Sequence, residues 1–174
     1  MSVINLFAYT YLLQKISGVL SSSLLSILYY NMSFSADKKL GNLGERKVIE
    51  YLNLLPENQT DPYHLFHHKY SLYDLRNSKV VAEVKARRNA STTYPTTIIG
   101  YNKIKILEGG LELDTEYHFL FLFTDGLFRW KFQSGQYQVA LGGRCDRGKR
   151  EIKDYCYIKI EDCELLTTSI HSFA

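Results

Sequence analysis

The sequence predicts an α/β protein in which helices flank a mixed β-sheet. Three observations favour this fold class: an amphipathic helical pattern over residues 35–55, strand patterns from residue 65 onward, and a second helical pattern between strands. The chain has 174 residues, of which 45% are hydrophobic and 22% are charged. This length suits one compact core, so we expect a single folded domain over residues 35–174.

The first 34 residues form a hydrophobic extension that differs from the rest of the chain. Lys15 is the only charged residue before Asp37. Serines interrupt the apolar run, which makes it borderline for a membrane span of about 20 apolar residues. Two interpretations stay open: residues 1–31 associate with a membrane, or the functional chain begins at Met32.

The first predicted helix begins at a cap formed by Ser35 or Asp37 and ends near Leu55, before Pro56. Glu45 lies at the margin of its apolar side, where a carboxylate needs a partner because burying it unpaired is costly. The apolar side consists of Leu40, Leu43, Val48, Tyr51, Leu52 and Leu55.

Two strand-like runs follow this helix, over residues 65–75 and 80–85. The short polar stretch between them is typical of a tight hairpin turn. We predict that Asn77 and Ser78 form a two-residue loop. This loop decides which residues of the two strands face each other, because a slip of one residue moves every side chain to the opposite face.

The hairpin predicts a candidate catalytic site. With the loop above, Asp74 lies opposite Val81, and the alternation of side chains brings Asp74, Glu83 and Lys85 to one face. Mg²⁺ prefers oxygen ligands, which the two carboxylates and the carbonyl of Val84 would supply. A lysine on the same face would orient or deprotonate a water and neutralise phosphate charge. Such a group is typical of metal-assisted phosphodiester cleavage.

The rest of the chain continues the α/β pattern. A polar, Thr-rich stretch over residues 89–97 precedes a short helix over residues 101–111, which a Gly-Gly pair ends. Residues 117–123 and 127–132 form a second hairpin, and its first strand is apolar enough to be covered on both faces. Residues 154–160 form the last predicted strand.

Basic residues are concentrated in two parts of the chain. The net charge is only +3, which does not by itself indicate nucleic-acid binding. However, residues 85–105 carry five basic residues and no acid, and residues 129–153 carry seven basic residues and two acids. Four residues of the second group lie in a glycine-rich loop that is either a clamp on the substrate or a solvated hairpin tip. We predict contacts with the nucleic-acid backbone for Arg87, Arg88, Lys103, Lys105, Arg144, Arg147, Lys149 and Arg150.

The cysteines and the single tryptophan favour structural roles. Cys145, Cys156 and Cys163 are odd in number and lack the spacing of a zinc site, so we predict free thiols in a reducing compartment. His67 and His68 are neighbours that would point to opposite faces of a strand, which disfavours a shared metal ligand role. Trp130 is expected to pack in the core rather than to stack on a base.

Four motifs together resemble those of the PD-(D/E)XK nuclease superfamily, which includes restriction endonucleases and archaeal Holliday-junction resolvases. They are Gly44–Glu45 on the first helix, Asp74 at a strand end, Glu83–Val84–Lys85 on the next strand, and Lys103 on a downstream helix. Residues 94–103 also resemble a segment of nuclease-like proteins from large DNA viruses. The resemblance implies a restriction-endonuclease-like fold and a viral origin.

The resemblance also implies an activity and a site. It implies a Mg²⁺-dependent endonuclease, with Mn²⁺ as a substitute, that hydrolyses DNA, including branched intermediates of replication or recombination. Asp74 and Glu83 would bind the metal, Lys85 would assist catalysis, and Glu45 would be an additional acid. Tyr73 stands where the superfamily motif has proline, and the hairpin between the two acids is short.

Other functional classes stay open beside this one. A nuclease fold can bind DNA without cutting it, or serve as a component of a virion. A membrane-tethered factor acting through residues 1–31 is a weaker alternative. The resemblance implies an intracellular location, in the host cytoplasm or nucleus, or in the virion. Relatives that cut junctions are typically dimers, so a homodimer is also considered.

Overall fold

The computed structural model describes residues 22–66, 71, 73–109, 115–143 and 152–170, with the backbone alone over residues 22–34. This part of the chain contains two α-helices, nine β-strands and short 3₁₀ turns. The helices are α1 (Ser22–Leu54) and α2 (Tyr101–Glu108). The strands are β1 (His64–Leu65), β2 (Leu75–Arg76), β3 (Val80–Ala86), β4 (Thr96–Gly100), β5 (Glu116–Phe123), β6 (Gly126–Lys131), β7 (Gln138–Gly142), β8 (Lys153–Lys159) and β9 (Glu164–Thr167).

The described strands form two sheets. The larger sheet has six strands in the order β1-β2-β3-β5-β6-β9, and the smaller has three in the order β4-β8-β7. Within the larger sheet, β3 and β5 run parallel and the other neighbours are antiparallel. The predicted α/β fold, with a mixed sheet flanked by helices as in restriction endonucleases, is confirmed. The separate smaller sheet was not predicted.

The central strand β5 divides the interior into two cores, because its side chains alternate between the two faces of the sheet. Leu120 and Leu122 face α1, where they belong to a cluster that includes Val48 and Leu52. On the opposite face, β5 packs against α2 and the smaller sheet. That second cluster consists of Ile99, Ile104, Phe119, Phe121, Phe123, Trp130, Cys156 and Ile158. The predicted core position of Trp130 is confirmed, since its side chain is fully buried.

Helix α1 approaches β3 closely at Gly44. A Cβ atom at this position would lie 2.9 Å from Ala86 Cβ and 3.7 Å from Leu122 Cδ2. The first distance is shorter than a normal contact, and Ala86 Cβ cannot move without its backbone. Gly41, one turn earlier in the same helix, has nothing within 4 Å of the same position. Gly44 therefore sets the distance between the helix and the strand.

These two glycines provide a matched pair of substitutions. Gly41→Ala should raise the free energy of unfolding by about 1 kcal/mol, because alanine is the better helix former. Gly44→Ala should instead lower it by about 1–2 kcal/mol, because the overpacking against Ala86 outweighs the same gain. Urea denaturation of both variants measures the difference. Equal stabilisation by the two substitutions would contradict the close approach at Gly44.

The beginning of α1 differs from the prediction. The helix already includes Ser35 and Asp37, so neither residue caps it. Residues 22–34 contain no proline or glycine to stop a helix, which explains the earlier start. Asp37 instead forms an ion pair with Arg88, at 2.6 Å. Neither described helix is long and apolar enough to cross a membrane.

The first hairpin also differs from the prediction. The predicted strand over residues 65–75 is interrupted at the described residues Phe66, Ser71, Tyr73 and Asp74, which lie outside any strand. The two-residue strands β1 and β2 lie antiparallel to each other. Asn77 N–H donates to Val80 O at 3.0 Å, so the loop consists of Ser78 and Lys79. Arg76 consequently pairs with Val81, and the predicted position of Asp74 opposite Val81 is wrong. The pairing moves by two residues, a shift that preserves the face on which each side chain lies.

The remaining elements agree with the predictions to different degrees. The β5–β6 hairpin and strand β8 match within about two residues, and α2 ends at Glu108, before the predicted glycine pair. Strand β4 begins within the polar stretch where no strand was predicted. Cys156 and Cys163 are free thiols, as predicted. His67, His68 and Cys145 lie outside the described residues.

Candidate active site

Strand β3 presents Glu83 and Lys85 on the same face, toward α2. The Glu83 side chain is only 5% exposed, although it carries a carboxylate. Its Oε1 accepts a hydrogen bond from Lys85 Nζ, and its Oε2 lies 3.0 Å from Lys103 Nζ. Two lysines from different elements thus share one buried carboxylate. Their charges offset the large cost of burying an ionised acid.

Asp74 lies directly before β2, where the chain leaves the regular ladder. Its Oδ2 accepts a hydrogen bond from Val84 N–H at 2.7 Å. Burial raises the pKa of Asp74, and the negative charge of Glu83 raises it further, whereas Lys85 opposes both effects. Asp74 is therefore an electrostatic neighbour of the two residues that β3 presents, as the sequence predicted.

Glu45 reaches the same cluster from α1, next to the close contact at Gly44. Its pKa is raised to about 6, first by burial and then by the charge of Asp74, while Lys85 lowers it. Glu83 is also among the charges that raise it. The structure thus brings the four predicted catalytic residues into one electrostatic cluster, with contributions from α1, the approach to β2, and β3.

The donor groups in this cluster suit a divalent cation by their chemistry. All three acids supply hard oxygen ligands, and a cation nearby would favour the ionised forms of Glu45 and Asp74, whose pKa values are raised in part by negative neighbours. The N–H and C=O of one strand residue point to the same side, so the Val84 carbonyl is directed toward the edge where Asp74 lies.

The arrangement of these groups is not that of a formed metal site. Within the described ranges, no group of three or more His, Cys, Asp or Glu side chains is placed to hold a metal ion. Both Glu83 oxygens contact lysine ammonium groups, which stand in the way of a cation. Metal ligation by Asp74, Glu83 and Val84 therefore requires a change in the partners of Glu83.

The basic residues predicted to contact nucleic acid occupy different environments. Arg88 and Lys105 are exposed, and Arg88 pairs with Asp37. The guanidinium of Arg87 donates to Ile98 O and lies 5.7 Å from the centre of the Phe121 ring, so it connects β3 to β4. Burial lowers the Arg87 pKa to about 10. Arg144, Arg147, Lys149 and Arg150 lie outside the described residues.

The contact between Lys103 and Glu83 was not predicted from the sequence. Lys103 was predicted only to contact the nucleic-acid backbone and to match a lysine in the motifs of the nuclease superfamily. Strand β4 leads directly into α2, and this connection carries Lys103 to the face of β3. Its Nζ also lies 3.5 Å from Ser71 O. The available signal was the segment over residues 94–103, in which this lysine is the last residue.

Comparison with known proteins gives one match. A family model with the description "Phage putative PDDEXK endonuclease" matches residues 64–166. The matched range is more than half of the chain and contains Asp74, Glu83, Lys85 and Lys103, while Glu45 precedes it. No curated protein and no solved structure matches the chain.

Proposed function

Because the chain belongs to the family described as "Phage putative PDDEXK endonuclease", we propose that it is a Mg²⁺-dependent endonuclease that hydrolyses the phosphodiester bonds of DNA. The observation that carries the proposal is the buried Glu83 carboxylate, which lies on the same strand and face as Lys85. Asp74 and Glu45 are its acidic neighbours. Acidic side chains gathered from several elements around a lysine are suited to metal-assisted cleavage of a phosphodiester bond.

Each residue of the cluster has a role in this proposal. A divalent ion held by Asp74, Glu83 and the Val84 carbonyl would stabilise the negative charge that develops on the phosphate. The Lys85 side chain is 34% exposed, and in this proposal it orients the attacking water and neutralises charge on the phosphate. Glu45 has a pKa of about 6, so it is ionised at pH 7 and suited to accept the proton of that water.

A cleavage assay on the full chain tests the proposal. Purified protein should nick or cut DNA with Mg²⁺ or Mn²⁺. EDTA should abolish cutting, because it removes the cation that would offset the negative charge developing on the phosphate. Gel analysis of plasmid, single-stranded, duplex, flap and four-way-junction substrates measures both activity and preference. Unchanged cutting in EDTA, or none with either metal on any substrate, would refute the assignment.

A catalytically silent nuclease fold is the second candidate. The observation that favours it is the occupation of both Glu83 oxygens by lysines, since a metal must displace at least one of these contacts. Such a protein would bind DNA or serve in the virion without cutting. Calorimetry distinguishes the two: an endonuclease should bind Mn²⁺, and this binding should be lost in Glu83→Gln.

The family match also supports a setting for this activity. A phage protein that cuts DNA acts inside the infected cell or is carried in the virion, and branched replication or recombination intermediates are substrates available there. Exposed Arg88 and Lys105 suit contacts with the DNA backbone, as do the four basic residues of the loop over residues 144–150. Sedimentation of the protein with and without a four-way junction tests whether it acts as a homodimer.

A further inference from the structure

Two neighbouring depressions lie at the edge of β4, beyond the end of β3. The first is lined by residues that include Arg87, Asn89, Thr96 and Tyr157. The second is lined by residues that include Thr92 and Lys159. Tyr94, Pro95 and Thr96 line both depressions, so this short segment forms the wall between them.

Tyr94 is the large side chain of this wall. It is 63% exposed, whereas most aromatic side chains of strands β5 and β6 are buried. An exposed aromatic ring beside an open depression offers a flat apolar face on which a nucleobase can stack. Stacking of this kind needs an unpaired base, because the faces of a base within a duplex are covered by its neighbours.

The position of the wall relates it to the candidate active site in two ways. Along β3, Arg87 lies two residues beyond Lys85, a distance of about 7 Å along the strand. Along the chain, Tyr94 and Lys103 are the two ends of one segment, and Lys103 contacts Glu83. Arg87, which lines the first depression, thus follows the end of the strand that carries Glu83 and Lys85.

The charge of the first depression suits a nucleotide. Its lining residues include one guanidinium, that of Arg87, and no carboxylate. The second depression has Lys159 and Glu161, which pair with each other at 2.9 Å. A strand of DNA would therefore meet no carboxylate on the side of the wall that faces β3, where a negative charge would repel its phosphates.

We propose that Tyr94 is a stacking platform for an unpaired base of a DNA substrate, next to the phosphate that is cleaved. The position relative to that phosphate rests on the proposed function; the stacking itself does not. The substrate class that follows is single-stranded DNA, or a flap or junction with an unpaired nucleotide, rather than a fully paired duplex.

Binding experiments in EDTA test this proposal without cleavage. A single-stranded oligonucleotide containing 2-aminopurine is titrated with the full chain, and the quenching of its fluorescence reports stacking. Tyr94→Ala should raise the dissociation constant for single-stranded DNA by roughly tenfold and remove the quenching. Tyr94→Phe keeps the ring and should stay within about twofold of the wild type. Affinity for a blunt duplex should not change in either variant.

Leu54→Ala is the matched control, since it removes another exposed apolar side chain, 77% exposed, at the end of α1. It should leave all affinities unchanged. Wild-type binding and quenching in Tyr94→Ala, or an equal loss for duplex and single strand, would overturn the proposal. Failure of the proposed function is a separate result: a chain that shows the Tyr94 effect but never cuts DNA has a base-stacking site without nuclease activity.

Discussion

Replacing Glu83 with Gln should lower the rate of DNA cleavage at least about 10³-fold. The substitution keeps the shape of the side chain but removes the charge, and a metal ligand of this kind supplies several kcal/mol of stabilisation to the transition state. The loss of cleavage rate should persist at a saturating DNA concentration, because the variant keeps the basic residues that are proposed to bind DNA. Initial rates at several Mg²⁺ concentrations measure it.

Glu164→Gln is the control for this experiment. Glu164 also forms an ion pair across strands, with Arg129 at 2.5 Å, but it lies on β9 at the opposite edge of the sheet. This variant should cleave DNA at the wild-type rate. Circular dichroism checks that Glu83→Gln is folded, and Glu83→Asp, which keeps the charge, should retain part of the activity. A folded Glu83→Gln protein that cuts normally would rule out this carboxylate as a ligand.

Replacing Lys85 with Met should lower the cleavage rate by roughly 10²–10⁴-fold, the range for loss of a group that positions or deprotonates the reacting water. Met keeps most of the length of the side chain without its charge. The effect should be on kcat rather than on DNA binding, because Lys85 acts at the reacting atoms in the proposed mechanism. Single-turnover kinetics separate the two.

Lys103→Met provides the comparison within the same cluster. Lys103 contacts the other oxygen of Glu83 from α2, and we predict a backbone contact for it. Its loss should mainly weaken DNA binding. The slope of the logarithm of the binding constant against the logarithm of the salt concentration should fall by about one, the value expected for one phosphate contact. If Lys103→Met loses more activity at saturating DNA than Lys85→Met, then Lys103 acts at the reacting atoms and Lys85 contacts the DNA backbone.

The sequence predicted the elements whose signals are local. The apolar run of β5, the hairpin with β6, and the amphipathic end of α1 all follow from residues close in the chain. Strand β4 and the smaller sheet did not, because β4 pairs with β8, about 60 residues later in the chain. Strands β1 and β2 have two residues each, which is too short for a periodic pattern.

The residues of the candidate site differ in how far local geometry predicts their positions. Glu83 and Lys85 depend only on the alternation within one strand, so their common face does not depend on tertiary structure. Asp74 was placed with the wrong partner, because the loop consists of Ser78 and Lys79 rather than Asn77 and Ser78. The inward position of Arg87 and the contact of Lys103 could not be predicted, because both depend on how β4 and α2 return to the sheet.

The hydrogen bond between Val84 and Asp74 has a consequence for how this site can vary. The donor is a backbone N–H, which every residue except proline supplies, and the proposed metal ligand at the same position is a backbone carbonyl. A different apolar residue at position 84 would therefore keep the hydrogen bond that orients the Asp74 carboxylate. The side chain at this position serves the core, whereas its backbone N–H holds the Asp74 carboxylate.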